Sequence, residues 1–421
     1  MNLKVSVNLG NLILSLSDAL DLAYNSLAMH QQRTAFVAWQ LGQAAGLDEK
    51  RIEEVFIAGL LHDIGALTVE EKKSLHENET TKTENHCIKG QILFESNPWL
   101  QSSAILVRNH HRDWTDWKES RNTPEAFSSQ LLYLADYLER CIDRNTYILH
   151  QEKAIQESIK ELAGRQIDGN IVDLFLDVSR REEFWLDLTS PRLYSLLLHH
   201  GPFRMIEIDL DNILVFAELL CMIIDFKSPF TAAHSSGVTR CSMLLAGMVG
   251  MSESEVKLME AAGLLHDLGK LVVPNAILEK PGPLTPAEFA VIKQHTYHTY
   301  FILSTIRGLE LISEWAAYHH ERLDGKGYPF RREAREINLG ARIMCVSDIF
   351  TALAEDRPYR KGMSIAGITS ILEDQASRGI QDRRIVKLLL DNIGEISRSV
   401  AERQAQARDY YQTKLALLNT P

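Results

Sequence analysis

Several features of membrane, secreted and nucleic-acid-binding proteins are missing from this chain of 421 residues. No run of about 18 apolar residues occurs, so we expect neither a membrane-spanning helix nor a membrane partner. The N-terminal segment has no basic stretch leading into an unbroken apolar core, so we expect no signal peptide. Acidic residues outnumber basic ones by 56 to 45, and the net charge of −11 argues against long nucleic acid as a ligand. Together these absences predict a cytoplasmic protein.

Cysteine is scarce as well. The five cysteines form no CxxC pair, and their odd number argues against a complete disulfide framework. We therefore interpret them as buried thiols of a protein in a reducing compartment, rather than as disulfides or metal ligands. They are Cys87, Cys141, Cys221, Cys241 and Cys345.

Strand-forming sequence is nearly absent, and most of the chain has helical periodicity instead. Segments 51–67 and 255–271 place apolar residues at i, i+3, i+4 and i+7, the pattern of amphipathic helices. The one short strand candidate is 203–210. Thr285 is followed by a proline and, three residues on, by Glu288, which is the signature of a capped helix start. The pattern predicts an all-α fold.

One ordered set of histidines and aspartates occurs twice. In each half of the chain a histidine is followed 32 residues later by a His-Asp pair, and another histidine is followed 24 residues later by a His-His pair. An aspartate closes each series. The first repeat consists of His30, His62, Asp63, His86, His110, His111 and Asp136, and the second of His234, His266, Asp267, His295, His319, His320 and Asp348. The repetition predicts a duplicated domain, divided near Gly201 and Pro202.

The residue types of the repeat point to metal binding. Imidazoles and carboxylates are the groups that bind transition metals, and their mixture favours Fe, Mn, Zn or Ni over Mg or Ca. Neighbouring residues of a helix point about 100° apart, so a His-Asp or His-His pair can reach two adjacent metal ions, as in two-metal hydrolases. A single buried histidine is more often a hydrogen-bonded core residue, but these histidines stand at repeated positions.

Two cationic positions accompany the second repeat. Lys270 follows one turn after His266 and is suited to hold a phosphate beside the metals, although a helix lysine is by default a solvated one. Segment 356–361 clusters two arginines and a lysine shortly after Asp348. A solvated loop and a phosphate-binding loop are equally compatible with that cluster.

The second repeat closely resembles the HD-GYP family, a branch of the HD-domain metal-dependent phosphohydrolases. The resemblance rests on LLHDLGK around His266, HHERLDGKGYP at 319–329 and SDIFTALAEDRPYR at 347–360, and it covers roughly 215–395. Family members hydrolyse cyclic dinucleotides to a linear dinucleotide. Most act on cyclic di-GMP, and a subset prefers cyclic GMP-AMP.

The resemblance implies roles for individual residues. The seven residues of the second repeat would bind two divalent transition metal ions, Fe, Mn or Ni, with Asp267 and Lys270 as the catalytic residues. Lys270, Arg357 and Arg360 would contact substrate phosphates. Some family members with three metals have a glutamate four residues before the first histidine, where this chain has Phe230. That difference favours a site with two metals.

The first repeat is related but altered. All seven ligand-type positions are present, so a second metal site is possible there. The GYP segment is missing, Ala66 stands at the lysine position, and no Arg-Pro-Tyr-Arg cluster follows Asp136. Metal ligands without groups that hold phosphate suggest a structural or sensory site more than a second active site.

We therefore expect two tandem helical bundle domains of the HD superfamily, residues 1–200 and 201–421. The second domain would hydrolyse a cyclic dinucleotide, either cyclic di-GMP or 3',3'-cyclic GMP-AMP. Two alternatives stay open, which are hydrolysis of a nucleotide or alarmone and a non-catalytic signalling module that binds a cyclic dinucleotide. The sequence also leaves open a homodimer or a signalling-protein partner.

Overall fold

A computed structural model describes residues 5–22, 28–68, 71, 75, 84–203, 206–227, 233–355 and 361–418. Contacts within the chain divide it into two compact units. The first unit is Asn8–Ile206, and the second is Glu207–Pro421 together with Met1–Val7. The fold is all-α, as the sequence predicts, and none of the described helices is long and apolar enough to cross a membrane.

The described helices of the first unit are short to medium in length and alternate with single turns of 3₁₀-helix. They are α1 (Leu9–Leu22), α2 (His30–Ala44), α3 (Glu49–Leu61), α4 (Glu84–Glu95), α5 (Ala104–Asn109), α6 (Pro124–Arg140), α7 (Glu152–Lys160), α8 (Gly169–Val178), α9 (Glu182–Leu188) and α10 (Leu193–His200). The core of this unit is lined by Phe36, Phe56, Phe94, Phe175, Phe184 and Trp185, each at most 2% exposed.

The second unit repeats this arrangement with longer helices. They are α11 (Leu210–Lys227), α12 (His234–Met248), α13 (Glu253–Leu265), α14 (Asn275–Leu278), α15 (Pro286–Ser304), α16 (Glu310–Ala317), α17 (Leu339–Ala354), α18 (Ile365–Ser377), α19 (Arg383–Asp391) and α20 (Ile393–Leu418). The predicted cap at Thr285 is confirmed. Its hydroxyl accepts from the Glu288 amide and the Glu288 side chain accepts from the Thr285 amide, which fixes the start of α15.

The strand candidate at 203–210 is confirmed as β2 (Glu207–Asp209), which pairs with β1 (Ser6–Asn8) in the two-stranded sheet of the described residues. The sequence did not predict β1, because three residues carry too little alternation to be recognised.

Each unit packs the same set of equivalent helices together in its own interior. In the first unit α2 packs on α3 and α6, and in the second α12 packs on α13 and α17. These helices carry the first histidine and the closing aspartate of each repeat, and the His-Asp pair directly follows the end of α3 and of α13. The duplicated sequence therefore corresponds to a duplicated packing arrangement, which brings distant ligand-type residues to one place in each unit.

Candidate metal centres

The residues of the second repeat lie at helix ends and turns more than within helices. His234 is the first residue of α12. His266 and Asp267 follow the last residue of α13, and a 3₁₀ segment begins directly after them at Leu268. The His-Asp pair therefore lies on a turn, whereas the sequence analysis placed it within an α-helix. A turn lets the adjacent side chains diverge, and both are nearly fully buried.

A glycine two residues after the aspartate permits this turn to pack closely on α15. A Cβ atom at Gly269 would lie 1.9 Å from the carbonyl oxygen of His295. The equivalent Gly65 of the first unit approaches the carbonyl oxygen of His86 in the same way, at 2.0 Å. Because no side chain fits in this space, glycine holds the His-Asp pair beside the next histidine in both repeats.

The second-repeat side chains form two connected subsites. His234, His266 and Asp348 have ligand atoms close enough to hold one ion, and we call them subsite A. His295, His319 and His320 form a second such group, which we call subsite B.

Asp267 connects the two subsites. Its Oδ2 lies 3.2 Å from His266 Nε2, and its Oδ1 lies 3.6 Å from His295 Nε2. One carboxylate oxygen thus faces each subsite, which is the arrangement of a bridging ligand between two metals.

The orientation of the imidazoles leaves their lone pairs facing one another. His295 Nδ1 donates to the carbonyl oxygen of Ile292 at 2.7 Å, and His319 Nδ1 donates to that of Ala316 at 2.6 Å. A carbonyl oxygen only accepts, so in each neutral ring Nε2 carries a lone pair. These two Nε2 atoms lie 3.2 Å apart. Two facing lone pairs repel each other unless a cation lies between them, so the residues present fit a metal ion.

The protonation states of His295, His319 and Asp348 also suit metal binding. Burial lowers the pKa of His295 to about 3 despite the neighbouring Asp267, and it holds the pKa of His319 well below its usual value. Burial raises the pKa of Asp348, but the hydrogen bond from His234 and the nearby imidazoles outweigh it and hold that pKa below its ordinary value. Neutral imidazoles and an ionised carboxylate are the forms that bind metals.

Glu355 contacts a residue of subsite A, and the sequence reasoning did not single it out. Its Oε1 lies 3.0 Å from Nδ1 of His234, while His234 Nε2 lies 3.0 Å from Asp348 Oδ1. Burial by itself lowers the pKa of His234. The two carboxylates outweigh burial and raise that pKa to about 10, so the position attracts positive charge. A carboxylate behind a metal-binding histidine fixes its ring orientation.

The GYP segment lies next to subsite B. The Tyr328 ring is 4.9 Å from the His320 ring, between centroids. Burial, together with the charges of Asp348 and Asp267, raises the pKa of Tyr328, so the hydroxyl keeps its proton. The buried Glu321 anchors the end of the segment, because its carboxylate accepts from the backbone amides of 330–332 at 2.7 to 3.1 Å.

The predicted cationic residues have different positions. Lys270 Nζ lies 2.6 Å from Asp267 Oδ2, so its ammonium group is at the centre and contacts the carboxylate that faces both subsites. Arg357 and Arg360 lie outside the described residues, as does Phe230, so their predicted roles stay predictions.

The first unit gathers its seven residues into a similar centre. Nε2 of His30 lies 3.2 Å from Nε2 of His62, and Nε2 of His86 lies 3.1 Å from Nε2 of His110. Asp63 again connects the two pairs, with Oδ2 3.7 Å from His30 and Oδ1 3.5 Å from His86. The ligand atoms of His30, His62 and Asp63 are close enough to one another to hold one ion. His111 and Asp136 complete the set, 3.8 Å apart.

Three further side chains contact the ligand-type residues of the first centre, and the sequence analysis predicted none of these contacts. Glu139 Oε2 lies 2.5 Å from His30 Nδ1 and orients that ring, as Glu355 does in the second unit. Arg140 Nη2 lies 3.0 Å from Asp136 Oδ2 and places a fixed positive charge at the centre. Cys87 Sγ lies 3.6 Å from His86 Nε2. Their carboxylate, guanidinium and thiol groups could have been noticed, but only the fold shows what they contact.

Comparison with known proteins identifies the family. The HD domain family matches residues 27–141 and 218–385, which contain the two repeats. The 3'3'-cGAMP-specific phosphodiesterase 1 of Vibrio cholerae is 30% identical over 402 residues, covering 93% of each chain. The chain belongs to the HD-GYP family. The expectation from the LLHDLGK and GYP segments is therefore confirmed.

Other members of the HD-GYP family match most of the chain or about a third of it. The 3'3'-cGAMP-specific phosphodiesterase 3 of Vibrio cholerae is 27% identical over 88% of this chain and 92% of its own. A cyclic di-GMP phosphodiesterase of Thermotoga maritima is 42% identical, but over 34% of this chain and 39% of its own. A crystal structure of a cyclic GMP-AMP-specific phosphodiesterase of Vibrio cholerae has the same fold, with a TM-score of 0.62, 21% identity and coverage of 94% and 98%.

Proposed function

We propose that the second unit hydrolyses 3',3'-cyclic GMP-AMP to a linear dinucleotide, with cyclic di-GMP as the second candidate substrate. The observation that carries the preference is the extent of the match to known proteins. Two relatives that match about nine-tenths of this chain are named for cyclic GMP-AMP. A third relative named for cyclic GMP-AMP matches 41% of the chain, and the cyclic di-GMP phosphodiesterases it resembles match 27% to 42%.

We infer that the second centre holds two divalent transition metal ions, with Fe, Mn or Ni as candidates. His234, His266 and Asp348 would hold one ion and His295, His319 and His320 the other, with Asp267 between them. When bound, such a pair supplies the Lewis acidity that activates water and stabilises the charge of a phosphodiester. The facing lone pairs of His295 and His319 support this assignment.

Side chains around the centre have their own roles in the proposal. The Asp267 carboxylate sets the separation of the subsites, since one oxygen faces each. The Lys270 ammonium group, already at the centre, would bind a non-bridging phosphate oxygen and neutralise charge that develops during hydrolysis. Arg357 and Arg360 are proposed to contact the second phosphate, on the basis of the sequence motif alone.

An aromatic surface beside the centre would receive a purine base. Phe289 is 43% exposed, and its ring centroid lies 6.0 Å from that of Tyr328, which in turn contacts His320. Lys293 Nζ lies 5.4 Å from the centre of the Phe289 ring. Exposed aromatic rings stack on bases, and a nearby ammonium group can bind a base carbonyl or a phosphate. We propose Phe289 and Lys293 as base contacts.

The first unit is proposed to be non-catalytic. Arg140, four positions after Asp136, contacts Asp136 Oδ2 at 3.0 Å, whereas the residue four positions after Asp348 is Ala352. The first centre thus contains a fixed guanidinium charge at a position where the second has an alanine. Ala66 also leaves the first centre without the lysine that would bind phosphate.

The proposed function is tested with the full chain. Purified protein loaded with Mn²⁺ or Fe²⁺ is incubated with 3',3'-cyclic GMP-AMP, cyclic di-GMP, cyclic di-AMP, a nucleoside triphosphate and a guanosine alarmone. We expect the highest kcat/KM for cyclic GMP-AMP and a linear dinucleotide product. Turnover confined to the triphosphate or alarmone would replace the proposal by a nucleotide phosphohydrolase. Binding without turnover under all metal conditions would indicate a signalling module.

A further inference from the structure

Cys87 adds a thiol to the first metal centre. It directly follows His86 and is 2% exposed. Its Sγ lies 3.6 Å from His86 Nε2 and 3.7 Å from His110 Nδ1, and the three residues have ligand atoms close enough to hold one ion. The second repeat has Thr296 at the equivalent position, immediately after His295. The thiol is therefore a feature of the first centre alone.

The separations of His86 Nε2 from the Cys87 sulfur and from His110 Nε2 agree with tetrahedral zinc. Zinc bonds of about 2.3 Å to sulfur and about 2.0–2.1 Å to nitrogen place tetrahedral ligands about 3.5 Å apart for a sulfur and a nitrogen, and about 3.3 Å for two nitrogens. The sulfur of Cys87 is 3.6 Å from His86 Nε2, and the His86 and His110 Nε2 atoms are 3.1 Å apart. Asp63 Oδ1 lies 3.5 Å from His86 Nε2 and 3.9 Å from His110 Nε2.

We propose that Asp63, His86, Cys87 and His110 form a closed zinc site in the first unit. A thiolate is a soft ligand that favours zinc over Mn or Mg, whereas the second centre offers only nitrogen and oxygen. Four protein ligands leave no position for water or substrate, which is the mark of a structural zinc site. The inference deepens the proposal that the first unit is a non-catalytic metal-binding domain. It departs from the interpretation of the cysteines as thiols without metal.

A path for the ion is present on the surface of the first unit. A cavity of about 520 Å³ is lined by Cys87, His111, Arg108 and Arg112, among others. The GYP segment follows the His-His pair in the second unit but is missing from the first. Cys87 thus borders this cavity, although its side chain is almost fully buried.

The experiment uses the full chain and the metal alone. Metal-free protein is reconstituted with Zn²⁺, and X-ray absorption at the zinc edge reports whether a sulfur ligand lies at about 2.3 Å. Reconstitution with Co²⁺ gives an independent signal, since a thiolate ligand produces a charge-transfer band in the near ultraviolet. We expect one metal-bound sulfur per chain in both measurements.

The decisive variant is Cys87→Thr, which gives the first repeat the residue of the second. We expect loss of the sulfur signal and of the cobalt band. We also expect the zinc affinity to fall by more than about 100-fold. Removing a group that merely supports a ligand lowers the affinity by about 10- to 100-fold, or about 1.4–2.7 kcal/mol, and a ligand should contribute more. The matched control is Cys141→Thr, because Cys141 is a half-buried cysteine of the same unit outside the His86, Cys87 and His110 group. It should retain both signals.

Two results would overturn the site. One is the absence of sulfur from the zinc shell of the unmodified chain, a measurement that does not depend on any variant folding. The other is a sulfur signal that persists in Cys87→Thr. Hydrolysis is recorded separately, and Cys87→Thr should keep kcat/KM within about twofold. A chain that binds zinc through sulfur but does not hydrolyse cyclic GMP-AMP would refute the proposed function and leave the zinc site standing.

Discussion

Lys270 is the residue whose role can be tested most sharply. Its ammonium group lies 2.6 Å from Asp267 Oδ2 at the second centre, and its side chain is 20% exposed against 2% for Asp267. It is therefore sheltered enough for its charge to act strongly on a bound phosphate. The substitution Lys270→Ala gives this repeat the residue that the first repeat has at Ala66.

The expected size of the effect follows from the contact that is lost. A hydrogen bond to a charged group contributes about 1.5–3 kcal/mol, which corresponds to a loss of roughly 10- to 150-fold in kcat/KM. Metal binding should respond in the opposite direction. Because Lys270 is a cation beside a bridging carboxylate, its removal should leave metal affinity unchanged or raise it.

The assay combines kinetics on 3',3'-cyclic GMP-AMP with metal analysis of the same samples. A matched control is Lys257→Ala, since Lys257 contacts Asp211 at a similar 2.7 Å but on the surface, where such pairs contribute little. We expect the control to behave as the unmodified chain. Kinetics within about twofold of normal for Lys270→Ala would return Lys270 to the class of ordinary lysines. Loss of metal together with activity would mean that it acts only by positioning Asp267.

Three further predictions concern the bridge, the base contact and the first centre. Asp267→Ala should lower bound metal and reduce hydrolysis at least about a thousandfold, with the helical circular dichroism retained, because both subsites lose a ligand. Phe289→Ala should raise KM for cyclic GMP-AMP by about 5- to 150-fold, the size of one stacking contact of about 1–3 kcal/mol, while Phe301→Ala should not. His62→Ala combined with Asp63→Ala should reduce metal per chain, measured by elemental analysis, and spare most of the hydrolysis.

Each of these predictions has a result that contradicts it. Near-normal turnover in Asp267→Ala would remove the two-metal assignment. Phe301 is a matched control because it lies on the same helix and is 44% exposed, so equal effects of both phenylalanine substitutions would mean that general hydrophobicity matters, not base stacking. Unchanged metal content in the first-unit double variant would mean an empty first centre. If the variant is well folded, complete loss of hydrolysis would mean that the first unit takes part in catalysis and that the assignment to the second unit is wrong.

Repeated spacing made much of the protein predictable from sequence. The intervals of 32 and 24 residues occur in both halves, and the structure gathers the residues they mark in each unit. The capping box at Thr285 was also legible, because it depends on residues three positions apart. Such signals are local or periodic, so one chain without its fold is sufficient to recognise them.

The residues that support the ligands could not be recognised in this way. Glu355 orients His234 from seven positions after Asp348, whereas Glu139 orients His30 from three positions after Asp136. The glutamate that contacts the first histidine stands at a different distance from the closing aspartate in each repeat, so no shared spacing marks it in the sequence. Arg140 lies four positions after Asp136 on the same helix, a spacing at which side chains meet, but the spacing alone does not distinguish it from a surface ion pair.

The sequence by itself determined the duplication, the helical class, the family and the residue types available for metals. Tertiary structure decided which atoms face one another. It placed the Asp267 oxygens toward two subsites, brought Glu355 Oε1 to within 3.0 Å of His234 Nδ1, and brought the Cys87 sulfur to within 3.7 Å of His110 Nδ1. The physical reason is that a metal site depends on separations of a few ångströms between side chains of different helices. Those separations are set by helix packing and turn geometry, which residue spacing along the chain does not specify.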